Sequence, residues 1–169
     1  IVPGSVAPED GGKVLMLEAH QDTVPVDGMT IDPFDPVMKD GLMYGRGSCD
    51  IKGGMACMLT AFKRLVTEQP DNVPTVVMAC SVNEEHGSSG AEMMPLLWQD
   101  TEQKWFAKPA GVIVAEPTML DVVVAHKGVT RFLVDVTGKA CHSSQPTLGQ
   151  NAIYRMARII SVLEDYALN

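Results

Sequence analysis

Residues 13–20 read KVLMLEAH, an apolar run that ends on a histidine. Apolar side chains at consecutive positions are typical of a strand that is buried on both faces of a parallel sheet. Two later segments repeat the pattern, PTVVMACSV at 74–82 and GVIVA at 111–115. We therefore predict three buried strands, each of which is followed directly by polar residues.

Helices are predicted between these strands. Residues 51–68 carry apolar side chains at helical spacing, and residues 90–100 also favour a helix. The segment 21–50 is rich in Gly, Pro and Asp, which predicts a long irregular excursion of a kind that is uncommon unless it has a function. The alternation of strands and helices predicts an α/β fold for residues 1–128.

The pattern changes after residue 128. Residues 129–138 (VTRFLVDVTG) alternate as a strand, and residues 149–164 carry the pattern of an amphipathic helix. We interpret 129–169 as the beginning of a second, α+β domain. One strand and one helix bury little apolar surface by themselves, so we expect further chain after residue 169.

The composition of the 169 residues narrows the possible functions. A hydrophobic fraction of 46% and a charged fraction of 20% indicate a globular protein. The net charge of −8 argues against a nucleic-acid partner, and no apolar run approaches the roughly 18 residues of a membrane span. Four cysteines without CxxC spacing fit a reducing compartment. We expect a cytoplasmic protein that binds neither nucleic acid nor membrane.

Residue types that bind metals follow each predicted strand. His20 ends the first strand, Glu84 and Glu85 follow the second, and Glu116 follows the third. Ligands collect at the carboxyl ends of parallel strands, so these side chains are predicted to share one edge of the sheet. Nitrogen and oxygen ligands without thiolates indicate zinc, cobalt or manganese in a catalytic site.

Each candidate also has an ordinary interpretation when it is taken alone. Asp22 could orient a metal-bound His20, or it could be a loop residue. Asp50 could be a carboxylate shared by two metals or the cap of the following helix, and the two roles can coexist. Adjacent Glu84 and Glu85 could be an exposed acidic turn, or one could bind a metal while the other takes a proton from water.

Nucleophilic side-chain catalysis is not indicated. Cys141 is adjacent to His142, but sequence adjacency does not create a nucleophile–base pair, and no G-x-S-x-G motif is present. The ordinary interpretations of the metal candidates are each reasonable alone. They are improbable together, because all of them would have to hold at the same edge of the sheet. A metal-dependent hydrolase is therefore the favoured hypothesis.

The motifs, in this order, resemble the dizinc metallopeptidase family that includes acetylornithine deacetylase, succinyl-diaminopimelate desuccinylase, aminoacylase and glutamate carboxypeptidase. The resemblance runs from about residue 13 to the end and is most like the acetylornithine deacetylase branch. The matching segments are AHQDTVP (19–25), DPF (32–34), YGRGSCDIKGGMA (44–56), NEEHGSSGA (83–91), AEPT (115–118), AHKG (125–128) and GKACHSSQPTLGQNAI (138–153).

The resemblance implies a three-layer α/β catalytic domain, incomplete in this chain, over 1–128. It implies the start of a ferredoxin-like α+β lid and dimerisation domain over 129–169. Two zinc ions, or cobalt or manganese, would be bound. The implied metal ligands are His20 and Glu116 for the first ion, Asp50 bridging both ions, and Glu85 for the second.

The resemblance also implies catalytic roles. Asp22 would orient His20, Glu84 would be the general base and later the proton donor, and the peptide bond after Asp50 would be cis. His142 would stabilise the tetrahedral intermediate, often from the partner subunit of a homodimer. The family's fifth ligand is a downstream histidine, which His86, His126 and His142 do not match. We therefore expect an incomplete second site, and no activity from these 169 residues alone.

The implied reaction is zinc-dependent hydrolysis of the amide bond of small N-acyl amino acids, with acetylornithine-type substrates ahead of dipeptides. Two alternatives stay open, a metallo-carboxypeptidase or dipeptidase of the same family and a non-catalytic homologue that acts as a binding module. Against the second alternative, each ligand position present and the base position hold a competent residue.

Overall fold

The computed structural model of the chain describes residues 1–100, 106–128 and 131–168. It divides into two compact units, Ile1–Val123 and Val124–Asn169. The predicted α/β class is confirmed by a parallel sheet with helices in the first unit. The predicted domain boundary lies between residues 128 and 129. Because residues 129 and 130 lie outside the described residues, this boundary stays a prediction.

Among the described residues of the first unit there are five strands and three α-helices. In chain order they are β1 (Val14–Glu18), β2 (Val37–Lys39), β3 (Leu42–Tyr44), α1 (Gly53–Glu68), β4 (Thr75–Ala79), α2 (Ser89–Met93), α3 (Leu96–Gln99) and β5 (Gly111–Val114). The three predicted buried strands are thus present as β1, β4 and β5. They form a parallel sheet in the order β4-β1-β5.

Two small hydrophobic clusters lie on opposite faces of this sheet, because side chains alternate along a strand. One contains Val14, Met16 and Val77, against which Met94, Trp98 and Phe106 pack. The other contains Ala19, Ile51 and Ala115, against which Met55 and Met58 of α1 pack. The result is three layers, with α1 on one side of the sheet and the α2–α3 segment on the other.

Three predicted segments differ in detail. The helix predicted over 90–100 is broken into α2 and α3, because Pro95 between them has no N–H to continue the first helix. The helix predicted from residue 51 begins at Gly53, after an irregular turn. The excursion over 21–50 contains the β2–β3 hairpin, whose turn residues Asp40 and Gly41 both have positive φ.

The second unit contains one long helix, α4 (Ala152–Leu168). It begins after the predicted start at 149, because the Asn151 side chain caps it by accepting bonds from the N–H groups of Ile153 and Tyr154. The predicted strand over 129–138 is not formed at residues 131–138, and residues 129 and 130 lie outside the description. A strand needs a partner, and within the described part of this unit only Lys139 and Gln150 form a backbone bridge.

None of the helices among the described residues is both long and apolar enough to cross a membrane.

Candidate metal centre

The centre is built around His20, which follows β1 and is only 2% exposed. Its Nδ1 lies 3.0 Å from the backbone carbonyl oxygen of Asp22, and its Nε2 lies 3.1 Å from Oδ1 of Asp50. A carbonyl oxygen can only accept, so Nδ1 donates and Nε2 is the nitrogen that faces the carboxylate. Two ligands of one tetrahedral zinc, each at about 2.0–2.1 Å from the ion, lie about 3.3 Å apart. The Nε2–Oδ1 distance therefore suits a shared ion.

The structure brings candidate ligands together in two groups. In each group, one ligand atom from every residue lies within 4.8 Å of the others. The first group is His20, Asp50 and Glu116, and the second group is His20, Glu84 and Glu85. The structure thus collects side chains from the carboxyl ends of all three parallel strands. Among the described residues Asp50 is a member of the first group only, whereas the sequence interpretation has it bridging both ions.

The first group is anchored by one buried cluster. Ala19, Ile51 and Ala115 pack together, and each is adjacent in sequence to one member of the first group. Gly54 at the start of α1 allows this close approach, because a Cβ there would lie 3.0 Å from the Cβ of Ala115 and 3.1 Å from Cδ1 of Ile51. Packing in the core therefore fixes the main-chain positions of these three candidate ligands.

Asp50 lies in the irregular turn Ser48–Lys52 that precedes α1. Its own φ and ψ, −116° and 98°, are not helical, and its peptide bond to Ile51 is cis, as the resemblance implies. The cap of α1 is Lys52, and no side chain bonds the free N–H groups there. The alternative that Asp50 is the helix cap is therefore wrong, and its carboxylate faces His20.

Asp22 organises the acidic loop after β4. Its Oδ1 accepts a bond from the N–H of Glu84 at 3.2 Å, and its Oδ2 accepts one from the N–H of Glu85 at 3.1 Å. Burial raises the pKa of the Asp22 carboxyl, but the two hydrogen bonds and other contacts have a larger, lowering effect. The pKa therefore lies below its ordinary value. The carboxylate is 3.6 Å from Nδ1 of His20, so the close contact with the ring is made by the carbonyl of Asp22.

Crowded negative charge marks the site as one that favours a cation. Burial, followed by the charges of Asp50 and Glu84, raises the pKa of the Glu116 carboxyl. The pKa of His20 is also raised, because its bond to Asp50 and other contacts outweigh the effect of burial. A bound dication relieves both effects, since it replaces the Nε2 proton and offsets the repulsion between carboxylates.

The comparison with known sequences identifies the family of the chain. Residues 16–165 match the profile of peptidase family M20/M25/M40. The chain belongs to this family. The resemblance predicted from the motifs is therefore confirmed, and the match includes every residue of both ligand groups.

Individual M20/M25/M40 relatives carry names from two branches. The chain is 34% identical over 146 residues to a probable succinyl-diaminopimelate desuccinylase of Staphylococcus epidermidis, covering 85% of this chain and 35% of that protein. It is 37% identical over 158 residues to an acetylornithine deacetylase of Myxococcus xanthus, covering 94% of this chain and 39% of that protein. The chain thus spans between about a third and two fifths of the length of these relatives.

His142 belongs to the second unit of this family member. The backbone N–H of Ser144 donates to His142 Nδ1 at 3.2 Å, and the Ser144 hydroxyl lies 2.8 Å from the same nitrogen. An atom that accepts from a backbone N–H carries no proton itself. The neutral ring therefore has its proton on Nε2, which makes Nε2 a hydrogen-bond donor.

The sequence interpretation missed two polar residues near the centre. Glu18, at the end of β1, is 9% exposed, and its carboxylate accepts a bond from the hydroxyl of Ser81 at 2.5 Å. The available signal was the single charged residue within the apolar run LMLEA at 15–19. Lys52 was also missed, and its Nζ donates to the backbone oxygen of Gln21 beside His20 at 2.6 Å.

Proposed function

We propose that the full-length protein containing this chain hydrolyses the amide bond of small N-acyl amino acids with the help of two metal ions, zinc foremost. The observation that carries the proposal is the convergence of ligand atoms around buried His20 in two groups. Family membership supports the same chemistry, and relatives named as a deacetylase and a desuccinylase indicate the substrate class.

The residues fit the metal. Neutral imidazole and carboxylate are ligands that zinc, cobalt and manganese accept. His20, Asp50 and Glu116 would hold one ion, and Glu85 would contribute to a second. Zinc supplies Lewis acidity, which lowers the pKa of water from 15.7 to about 7 and so provides a nucleophile near neutral pH.

The proton transfers are assigned to Glu84. Its carboxylate accepts a proton from the attacking water, whose oxygen forms a bond to the acyl carbon. As the C–N bond breaks, Glu84 delivers that proton to the leaving amine. The bond from the Glu84 N–H to Asp22 restrains the main chain that carries this carboxylate.

His142 is proposed to stabilise the negative charge that develops on the acyl oxygen. This role needs a donor, and the bonds from Ser144 leave the proton of the neutral ring on Nε2. The resemblance further suggests that His142 acts across a homodimer, and the cysteine usage suggests a cytoplasmic protein. Both are parts of the proposal.

The test uses the purified full-length protein with zinc. N-acetylornithine, N-succinyl-diaminopimelate and a dipeptide are offered separately, and the released amine is measured. We expect turnover of one of the first two substrates, loss of turnover in a chelator, and recovery when zinc is returned. Turnover of the dipeptide alone would favour the peptidase alternative. Stoichiometric zinc without turnover of any substrate would favour a binding module.

A further inference from the structure

Glu18 and Ser81 form a buried polar pair within the first unit. Glu18 is 9% exposed and Ser81 is 6% exposed, and the Ser81 hydroxyl donates to Oε1 of Glu18 at 2.5 Å. Hydrogen bonds to a charged acceptor are about twice as strong as neutral ones. The pair joins positions that are 63 residues apart in the sequence, at the ends of β1 and β4.

The pair lies where both strands turn into the metal centre. Past the end of β1 the main chain continues to pair with the β4 segment, through bonds from Ala19 N–H to the Ala79 oxygen and from Gln21 N–H to the Ser81 oxygen. His20 is two residues after Glu18, and Glu84 is three residues after Ser81. The pair is therefore a buried side-chain link between the two segments that lead to the second group.

A buried carboxylate is a poor choice for stability alone. Its burial costs free energy, and an apolar replacement of similar volume is often neutral or stabilising. Val14 and Met16, at the alternate positions that share a sheet face with Glu18, are apolar and belong to a core cluster. The change from apolar to acidic occurs at Glu18, the last residue of β1 and two residues before His20, which indicates a role in the site.

We propose that Glu18 and Ser81 are a positioning pair that holds the end of β4 against the end of β1, and so fixes Glu84 and Glu85 relative to His20. The inference rests on the proposed function. The effect of the pair is expected on the second group, because Glu84 and Glu85 follow β4, whereas Asp50 and Glu116 of the first group come from the turn before α1 and from the end of β5. Neither residue touches the reacting atoms.

The test compares Ser81→Ala with the full-length wild type. Loss of an outer partner of a metal site typically lowers metal affinity or activity 10- to 100-fold, so we expect about a tenfold weaker second zinc site. The first site should keep its affinity, and kcat should fall more than KM rises. Zinc competition titration measures both sites without reference to turnover. Ser81→Thr keeps the hydroxyl and should restore the second site.

Thr75→Val is the matched control, since it removes another buried hydroxyl from the chain segment that contains β4 and Ser81. Thr75 is 5% exposed and lies at the opposite end of β4, where its oxygen accepts a bond from the Gly4 N–H at 3.1 Å. It should lower thermal stability and leave both zinc affinities and kcat unchanged. An equal loss of zinc affinity in Thr75→Val and Ser81→Ala would overturn the proposal, because any loosening of β4 would then suffice.

The remaining outcomes also decide. Wild-type zinc affinity and kcat in Ser81→Ala overturn the positioning role. If Ser81→Ala does not fold, Glu18→Gln replaces the charged bond with a weaker neutral one, and an unchanged second site in that variant overturns the role as well. A wild type that binds two zinc ions but hydrolyses no N-acyl amino acid refutes the proposed function alone, because the zinc titrations still test the pair.

Discussion

The main chain of Asp22 makes the close contact with the ring of His20. Nδ1 lies 3.0 Å from the carbonyl oxygen and 3.6 Å from the nearer carboxylate oxygen. The ring orientation therefore depends little on the Asp22 side chain, which is bonded to the N–H groups of Glu84 and Glu85 instead. Asp22 thus contacts His20, which both groups share, through its main chain, and it holds the main chain of Glu84 and Glu85 through its carboxylate.

Asp22→Asn is expected to weaken the second metal site selectively. An amide has one acceptor oxygen, and its NH₂ group would face one of the two N–H groups that the carboxylate now binds. We expect the affinity of the second zinc to fall about 10- to 100-fold and that of the first to stay near wild type. Zinc titration of the metal-free protein measures both.

Asp32→Asn is the matched control for Asp22→Asn. Asp32 accepts bonds from the backbone N–H groups of Phe34 and Asp35 at one oxygen, Oδ1, which an amide can keep, and it belongs to neither ligand group. It should leave both zinc affinities unchanged. An equal fall at the first and second sites in Asp22→Asn would mean that the carboxylate orients His20 after all.

Glu84→Gln should abolish turnover while the protein keeps its zinc. The amide cannot accept the proton of the attacking water, so the general base is lost. Removal of a general base typically costs about 10²- to 10⁴-fold in rate. Metal content by atomic absorption and kcat on the preferred N-acyl amino acid are measured together. Glu85→Gln is the contrasting variant, expected to lose zinc from the second site. Loss of zinc in Glu84→Gln would assign Glu84 as a ligand.

The sequence predicted the sheet and its functional edge because both depend on strong local signals. The apolar runs that became β1, β4 and β5 each end beside a residue of a metal-binding type. Parallel strands align their carboxyl ends, so the sequence alone predicts His20, Glu84 and Glu116 at one edge of the sheet. The match to the M20/M25/M40 profile, over residues 16–165, covers all of these residues.

Features that depend on pairing across the chain were not predictable in this way. The β2–β3 hairpin is formed by three-residue strands with exposed side chains, which leave no hydrophobic alternation to read. Residues 131–138 do alternate in hydrophobicity, yet they form no strand. Alternation indicates which side chains would share one face of a strand, but it does not supply the neighbouring strand that backbone hydrogen bonding requires. The Glu18–Ser81 bond joins two strand ends, and only the register of β1 with β4 brings them together.

Gly54→Val should disturb the first group through the core. A Cβ at this position already comes within 3.0 Å of Ala115 and 3.1 Å of Ile51, whose sequence neighbours are Glu116 and Asp50. Overpacking of this kind typically costs about 1–3 kcal/mol, so we expect a lower free energy of unfolding and a weaker first zinc site. Denaturant unfolding and zinc titration measure the two effects. Ala61→Val on the exposed face of α1 should leave zinc affinity unchanged.

In the metal-free protein, His20 should contribute a stability that declines as pH rises. Burial lowers the pKa of the His20 imidazole. The bond to Asp50, the Asp22 carbonyl and nearby carboxylates together have a larger, raising effect, so the pKa lies above its ordinary value of 6.5. A raised pKa in the folded state means that the proton favours folding, so this contribution is complete below the ordinary pKa and is lost as pH rises through the folded-state pKa. We therefore expect the difference in unfolding free energy between wild type and His20→Gln, measured in chelator, to shrink from acidic to alkaline pH. Zinc binding should show the opposite trend, because the ion competes with the Nε2 proton and gains affinity as pH rises. A stability difference that grows with pH in chelator would contradict the upward shift of the His20 pKa.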